Sequence, residues 1–298
     1  MDAKLQELGL ARQVARAEKN FALADQIRDQ IALLGFDILD IPSGFEFKAR
    51  SRFPVVNRIT DVRSLTSKEY EISVALIVDG FADDAAAAIK TIKQYSTAKL
   101  AILVLINGNS ELGGLVNEID DDTFLVQVSA GCGWGEAANA LLKIAPSTFV
   151  VIMDPSTIFT GDAITPTLEQ LQQGEFSAVG WRGGLIDTAD EWRSTQDRGP
   201  GEVDVLYSYF LAVNRDEALE AGAFNIRAIY YRNADIEFSL RLRQARGRLL
   251  QIDLPLEQAR HHGYYDTEPE YRDLQSKKNY DRILDRFRGK NEILTPRR

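Results

Sequence analysis

Cysteine is nearly absent from this chain of 298 residues: Cys132 stands alone, so no disulfide can form within it. Long apolar runs are missing too. The longest, Leu100 to Ile106, is far short of a membrane span, and the opening MDAKLQELGL is no signal peptide, so a cytoplasmic protein is expected. Positive charge is in deficit, and a net charge of −9 argues against nonspecific nucleic-acid binding over the whole surface. The deficit is uneven: from 270 to 298 nine Lys or Arg face five Asp or Glu, a basic tail that suits phosphates, an anionic membrane face or a plain solvated helix. Histidine is confined to one place, His261-His262-Gly263, and both residues at one loop raise suspicion of a role there.

What is present is ordinary globular material. A hydrophobic fraction of 45% and a charged fraction of 27% suffice for one large α/β domain with a small accessory unit. The accessory unit is expected over residues 1–48. Leu5, Leu8, Val14 and Ala15 mark one helical stripe, and Phe21, Ala24, Ile27, Ile31 and Leu34 a second that ends at Gly35. Phe36 to Ile41 and Phe45 to Lys48, around Pro42-Ser43-Gly44, predict a β-hairpin. Residues 49–70 have no clear period and read as a linker.

From residue 71 to 298 strands alternate with helices. Ile72 to Val78, Leu100 to Ile106, Thr123 to Val128 and Phe149 to Met153 are apolar runs. Helices are expected from Asp83 and over 135–144. Strand, crossover helix, strand at these intervals implies right-handed parallel units in a mostly parallel, doubly wound α/β sheet, with ligands at the carboxyl ends of the strands. Asp154-Pro155-Ser156 falls at such an end, where the carboxylate either faces a ligand or caps a turn. Gly131-Cys132-Gly133-Trp134-Gly135 opens a helix, so its backbone N–H groups and the helix dipole could receive a diphosphate, the alternative being a tight turn with no ligand. As a thiol, Cys132 reads as a small filler rather than a nucleophile.

Two resemblances emerge from these motifs. Ala15-Arg16, Lys19-Asn20-Phe21, Ala24-Asp25, Ile27-Arg28-Asp29, Leu34-Gly35 and Asp40-x-Pro42-x-Gly44 together resemble the C-terminal module of cysteinyl-tRNA synthetases, which in that family lies by the anticodon. Phe47 stands where that family usually has Trp. No synthetase catalytic part precedes the module, so aminoacylation is not expected. Residues 1–60 hold nine basic and eight acidic residues, a poor footprint for RNA, and a plain docking or dimerisation hairpin is the alternative to tRNA contact.

Over about residues 70–290 the order of pieces resembles family 2 glycosyltransferases, which have the GT-A fold. That resemblance implies a sugar transferred from a nucleoside diphosphate donor, hexosyl or deoxyhexosyl in type, to a glycan, lipid or protein acceptor, with inversion. On the donor side it implies Asp79, Asn107 in place of the usual acid, Gly133, Trp134, Asn139, Asp154 and Ser156. Asp154 and Ser156 occupy the Asp-x-Asp position, so a divalent cation, Mg or Mn, would be held by Asp154 with His261, or His262 in its stead, but lacks its second acid. Asn233-Ala234-Asp235-Ile236-Glu237, after Gly222-Ala223-Phe224, is similar to the acidic segment that carries the general base. Asp235 then takes that role, with Glu237 on the acceptor side; the same residues also make good helix-start chemistry. Trp181 and Trp192, in the polar loop 180–205, would offer faces to acceptor sugar rings or be core. Three departures, Asn107, Ser156 and Ala234, keep open a catalytically degenerate nucleotide-binding or scaffold protein, and the first module keeps open a tRNA-associated adaptor. Oligomeric state is left open.

Overall fold

The structure is a computed structural model that describes residues 3–258 and 267–297. It divides into two units at Pro54 and Val55.

In the first unit, α1 (Ala3–Ala17) and α2 (Phe21–Leu33) are followed by β1 (Phe36–Ile41) and β2 (Gly44–Ala49). The turn between the helices is set by Asn20, whose side chain accepts the N–H of Leu23 and caps α2. Gly35, at φ +83°, lets the chain leave α2 for β1. Leu5, Ile27, Ile31 and Ile38 form the core, with Phe45 and Phe47 beside it. A Cβ on Gly9 would stand 2.4 Å from the Phe45 ring, so only glycine lets the hairpin lie on α1. Arg12 grips Asp40 through two hydrogen bonds of 2.7 and 3.2 Å, which holds the Asp40 carboxyl below its ordinary range. Val14 and Phe21, expected on the apolar stripes, are exposed instead.

The second unit begins inside the stretch expected to be a linker, which corrects the boundary at residue 70. Val55–Val56 forms β3, and Ile59, Val62 and Leu65 pack on the core. Their spacing fits neither helix nor strand period because each is placed singly by distant neighbours. Then come β4 (Ile72–Val78), α3 (Ala82–Tyr95), β5 (Leu100–Asn107), β6 (Thr123–Val128), α4 (Trp134–Ile144) and β7 (Phe149–Met153). After β8 (Thr157–Phe159) and α5 (Ile164–Gln172) the segments shorten. They are β9 (Ala178–Gly180), β10 (Gly183–Ile186), β11 (Thr195–Gln196), β12 (Gly201–Val203) and β13 (Val205–Leu206). The chain continues with β14 (Phe210–Asn214), α6 (Arg215–Glu220), α7 (Ala234–Gln244), β15 (Leu249–Gln251), β16 (Leu256–Gln258) and α8 (Pro269–Phe287).

Nine strands form the central sheet in the order β12-β15-β9-β14-β7-β4-β5-β6-β3. From β7 to β3 every pair is parallel, whereas β14 runs antiparallel to both β7 and β9. The mixed α/β fold with a mainly parallel sheet is therefore the one expected. All seven residues of β4 are buried, as an apolar run covered on both faces must be. Ala75 and Ile77 look toward α4, where Ala137, Ala138, Leu141 and Leu142 complete one layer. Val74, Leu76 and Val78 alternate to the other face, the side away from α4.

Asp204, with Arg243 and Arg297, sews the carboxyl-terminal stretch into this unit. Asp204, fully buried, accepts the N–H of Ile186 at 2.8 Å and that of Thr295 at 2.7 Å. Among the described residues no helix is long and apolar enough to cross a membrane.

Candidate functional site

The parallel strands β4, β5 and β7 end at one rim, which carries Asp79, Asn107 and Asp154. Because β14 is antiparallel, its start delivers Tyr207, Ser208 and Tyr209 to the same rim, with Phe210 paired to Met153. Pro155 has no N–H to extend β7, so the chain turns. The N–H of Thr157 donates to the Asp154 carbonyl at 3.0 Å, and Asp154 Oδ1 accepts both the N–H and the hydroxyl of Ser156, each at 2.8 Å. Ser156 is fully buried, and its hydroxyl also accepts from Gln258 Nε2 at 2.7 Å. Ser156 thus aims Asp154 and has no surface left for a donor sugar, which corrects its expected place among the donor contacts.

Asp235 reaches the rim from the first turn of α7. That helix is pinned to β13 by the Ser239 hydroxyl, which pairs with both N–H and C=O of Leu206. Asp235 Oδ2 accepts the Ser208 N–H at 2.9 Å and the Ser208 hydroxyl at 3.2 Å, while Oδ1 accepts the N–H of Ile236. Burial dominates these donors and pushes its carboxyl above the ordinary value of 3.8. Asp154 and Asp235, far apart in sequence, line one cavity of about 270 Å³ together with Thr195, Tyr207, Tyr209, Tyr231 and Arg232. Burial pushes the phenols of Tyr209 and Tyr231 up, aided at Tyr209 by Asp235 and Asp154 and at Tyr231 by the Tyr230 hydroxyl, so both stay neutral hydrogen-bonding groups. Trp134 stands next to this cavity, sharing a gap of about 20 Å³ with Asp154, Ser208 and Tyr231.

Of the other expected donor residues at the rim, Asn107 is turned inward and Asp79 outward. Asn107 closes a pair of bonds with Cys132, accepting its N–H at 2.8 Å and donating to its carbonyl at 3.1 Å. With β4 between β5 and β7, Asn107 is about 10 Å along the rim from Asp154 by strand spacing. Asp79 is exposed, and its charge and that of Glu136 are felt at Cys132, whose thiol burial and those charges push up to about 11. The thiol is inert, as a filler should be.

The glycine-rich turn is not a phosphate cradle, which corrects the role given to Gly133. The N–H of Gly133 goes to the Glu136 carboxylate, that of Trp134 to the Ile229 carbonyl at 3.2 Å and that of Gly135 to the Ala228 carbonyl at 2.8 Å. The glycines serve close packing instead: a Cβ on Gly135 would stand 2.2 Å from the Asn225 carbonyl oxygen. Asn139 is likewise structural, donating to the Phe224 carbonyl and accepting the Phe224 N–H, both at 2.9 Å. Phe224, so fixed, stacks on Phe238 at 4.1 Å and meets Trp134 edge-on.

Glu237 is not among the residues that line the cavity. Its carboxylate is buried, accepts from Asn225 and Arg241 at 2.8 and 3.0 Å, and lies 3.6 Å from Arg282. Trp192 is core, packed with Ile186, Val205, Ile236 and Phe287, and its carbonyl accepts the Tyr280 hydroxyl. Trp181, half-buried where β9 ends at the same rim, stacks with the Arg182 guanidinium 4.6 Å away. His261 and His262 lie outside the described residues, and among the described residues no cluster of His, Cys, Asp or Glu could hold a metal ion.

Tyr207, Tyr209, Tyr231 and Arg232 were missed in the sequence. Tyr231-Arg232 directly precedes Asn233-Ala234-Asp235, and that adjacency to a candidate base was the available signal.

No model of a known protein family matches the chain. Among solved structures it is similar to the mannosyltransferase PcManGT from Pyrobaculum calidifontis in complex with GDP-Man and Mn2+, at TM-score 0.55 and 15% identity over 76% of this chain and 67% of that one. It is similar also to GalNAc-T7 with UDP, GalNAc and Mn2+, at TM-score 0.55 and 13% identity over 74% of this chain and 48% of that one. The fold is thus that of GT-A-type glycosyltransferases. Separately, 42 residues are 60% identical to the cysteine-tRNA ligase of Nitratidesulfovibrio vulgaris, or 14% of this chain and 9% of that ligase. A stretch of 50 residues is 48% identical to the ligase of Limosilactobacillus fermentum, 17% of this chain and 11% of that one. The chain spans about a tenth of the length of these curated relatives.

Proposed function

We propose that the larger unit is a family 2-like glycosyltransferase, moving a hexosyl or deoxyhexosyl group from a nucleoside diphosphate sugar to a hydroxyl of a glycan, lipid or protein, with inversion. The observation that carries this reading is the cavity at the carboxyl rim that joins Asp154 to the buried Asp235. Asp235 takes the proton of the acceptor hydroxyl as its oxygen bonds to the anomeric carbon; the bond to the diphosphate breaks, and the nucleoside diphosphate leaves with its electron pair. A carboxyl raised by burial is a stronger base than a free aspartate once ionised, which suits that step. Asp154, aimed by Ser156, accepts from sugar hydroxyls, and Trp134 offers an apolar face beside it. The two solved neighbours, each in complex with a nucleotide or nucleotide sugar, support the donor class.

A screen of UDP-, GDP-, dTDP- and CDP-sugars tests it by thermal shift and nucleotide release. Stabilisation with release is the expected result; neither with any donor sinks the proposal. Binding without turnover points to the second reading, a nucleotide-binding scaffold, which the self-satisfied glycine turn and Ser156 favour. The short ligase matches support a separate reading of tRNA contact, measured as salt-sensitive tRNA retention that disappears when residues 1–54 are deleted.

A further inference from the structure

We propose that the loop over residues 225–232 and the first turns of α8 form a surface that docks on an anionic lipid bilayer. Such docking is independent of the donor chemistry of the glycosyltransferase reading.

Large apolar side chains stand exposed at few places in the second unit: among its described residues these are Val55, Ile226, Ile229, Tyr271 and Leu274. All but Val55 belong to this surface. Tyr230, beside Ile229, meets the Tyr271 ring edge-on at 6.2 Å, and Asn279 donates to the carbonyls of Tyr230 and Arg232 at 2.9 and 2.8 Å, so the loop lies along α8. Its other side is fastened to α4, where the Ala228 and Ile229 carbonyls accept the N–H groups of Gly135 and Trp134. With Ala228 turned in, Ile226 at 62% exposure and Ile229 at 47% are held outward by a backbone bonded on both flanks. Apolar side chains held out on a fixed frame lose little order when they insert, and a cluster of them marks an interaction surface.

The charge beside them selects the partner. Residues 225–232 hold Arg227 and Arg232 and no acid, and on α8 Lys278 follows Tyr271 and Leu274 at helical spacing, exposed on the same face. Arg63 and Lys143 share with Ile226 the wall of a hollow beside the loop. Opposing these five cations are four acids: Asp79, whose charge is felt at Tyr271, Glu136, whose carboxylate accepts the Gly133 N–H, and Glu268 and Glu270 at the start of α8. The balance, 5 − 4 = +1, reverses the sign of a chain whose net charge is −9, so an anionic surface is repelled elsewhere and admitted here. A second copy of the chain would bring the same excess of acid against itself. A bilayer takes both kinds of side chain at once: isoleucine and leucine enter the acyl boundary, the tyrosine ring sits among headgroups, and arginine and lysine meet lipid phosphates. Tyr231 and Arg232, on the same loop, line the cavity, so docking lays one of its walls beside the membrane.

The test is flotation of the full chain with vesicles of phosphatidylcholine, and of phosphatidylcholine holding about 30% phosphatidylglycerol, in about 0.1 M salt. The wild type is expected to float with the anionic vesicles and about fivefold less with the neutral ones. Ile226→Ser combined with Ile229→Ser should lose about tenfold of that binding, and Arg227→Glu about fivefold. These side chains are exposed, so the variants should keep the wild-type melting temperature, which a parallel melt checks. Leu10→Ser combined with Val14→Ser, at exposed sites of the first unit, should float like the wild type. Absence of flotation, or loop variants that float undiminished, overturns the proposal, as does a loss confined to the first-unit variant, which puts the contact there. A chain that dimerises through the isoleucines in sedimentation without binding vesicles overturns it too, assigning the surface to a second copy. The donor screen is run without vesicles, so failure here leaves the glycosyltransferase reading standing, and failure there leaves the docking surface.

Discussion

Two regions of the same rim looked equally functional as sequence, and they differ in where their polar atoms go. Around Asp154 and Asp235 the carboxylates are steadied by Ser156 and Ser208 yet still line open space. Around Asn107, Gly133 and Asn139 the side-chain amides and the turn's N–H groups are spent on Cys132, Glu136, Ile229, Ala228 and Phe224. A buried amide whose bonds all close on the packed interior is part of the frame, whereas a carboxylate that lines a cavity can still do chemistry. A motif is a candidate for function where its polar groups border open space.

Breaking that comparison is straightforward. The largest effect is expected from Asp235→Asn: turnover of sugar donor falls about 10²- to 10⁴-fold while nucleotide binding measured by titration persists. A variant that keeps its turnover would move the base elsewhere. Next, Asn139→Ala leaves the Phe224 N–H and carbonyl unpaired in the core, so urea unfolding should show a loss of about 2–4 kcal/mol with nucleotide affinity of the folded protein unchanged. Lost affinity at full stability would restore Asn139 to the donor site.

A pH profile sharpens the contrast further. Because burial raises the Asp235 carboxyl above 3.8, the acid limb of kcat/KM should lie above that value, with activity growing as pH climbs through the raised pKa, and it should vanish in Asp235→Asn. The stability sign is opposite. The native state binds this proton more tightly than the unfolded chain, so the contribution is whole below about 3.8 and lost as pH rises through the raised value. The smallest effect belongs to Ser156→Ala. It removes one of the two donors at Asp154 Oδ1, weakening donor binding by about tenfold or less, with stability followed in a parallel melt.

Much of the frame was legible in the chain. Ile72–Val78, Thr123–Val128 and Phe149–Met153 are strands at the expected bounds, since a strand buried on both faces writes an unbroken apolar run. The hairpin after Gly35 was equally plain, because its turn chemistry is local. Of the candidate cavity, the two acids and the neighbouring Trp134 were legible. The glycine turn misled because its partners, Ala228 and Ile229, come from a distant segment. Trp192 was left between an acceptor face and the core, and it is core: a polar, glycine-rich neighbourhood hides a ring that sits 2% exposed against Ile236 and Phe287. Val55–Val56 was lost as a strand since two residues carry no period, and it exists only as an edge added to β6.

One small buckle has a practical corollary. The backbone N–H of Thr295 fastens to a carboxylate that sees no water, at Asp204. Trimming the polypeptide upstream of that clasp would remove one of the donors that hold a buried carboxylate, at a cost of about 1–3 kcal/mol, and loosen the β10 seam that the same acid secures through Ile186. An affinity handle at this end is therefore better appended beyond the last residue on a spacer than exchanged for it.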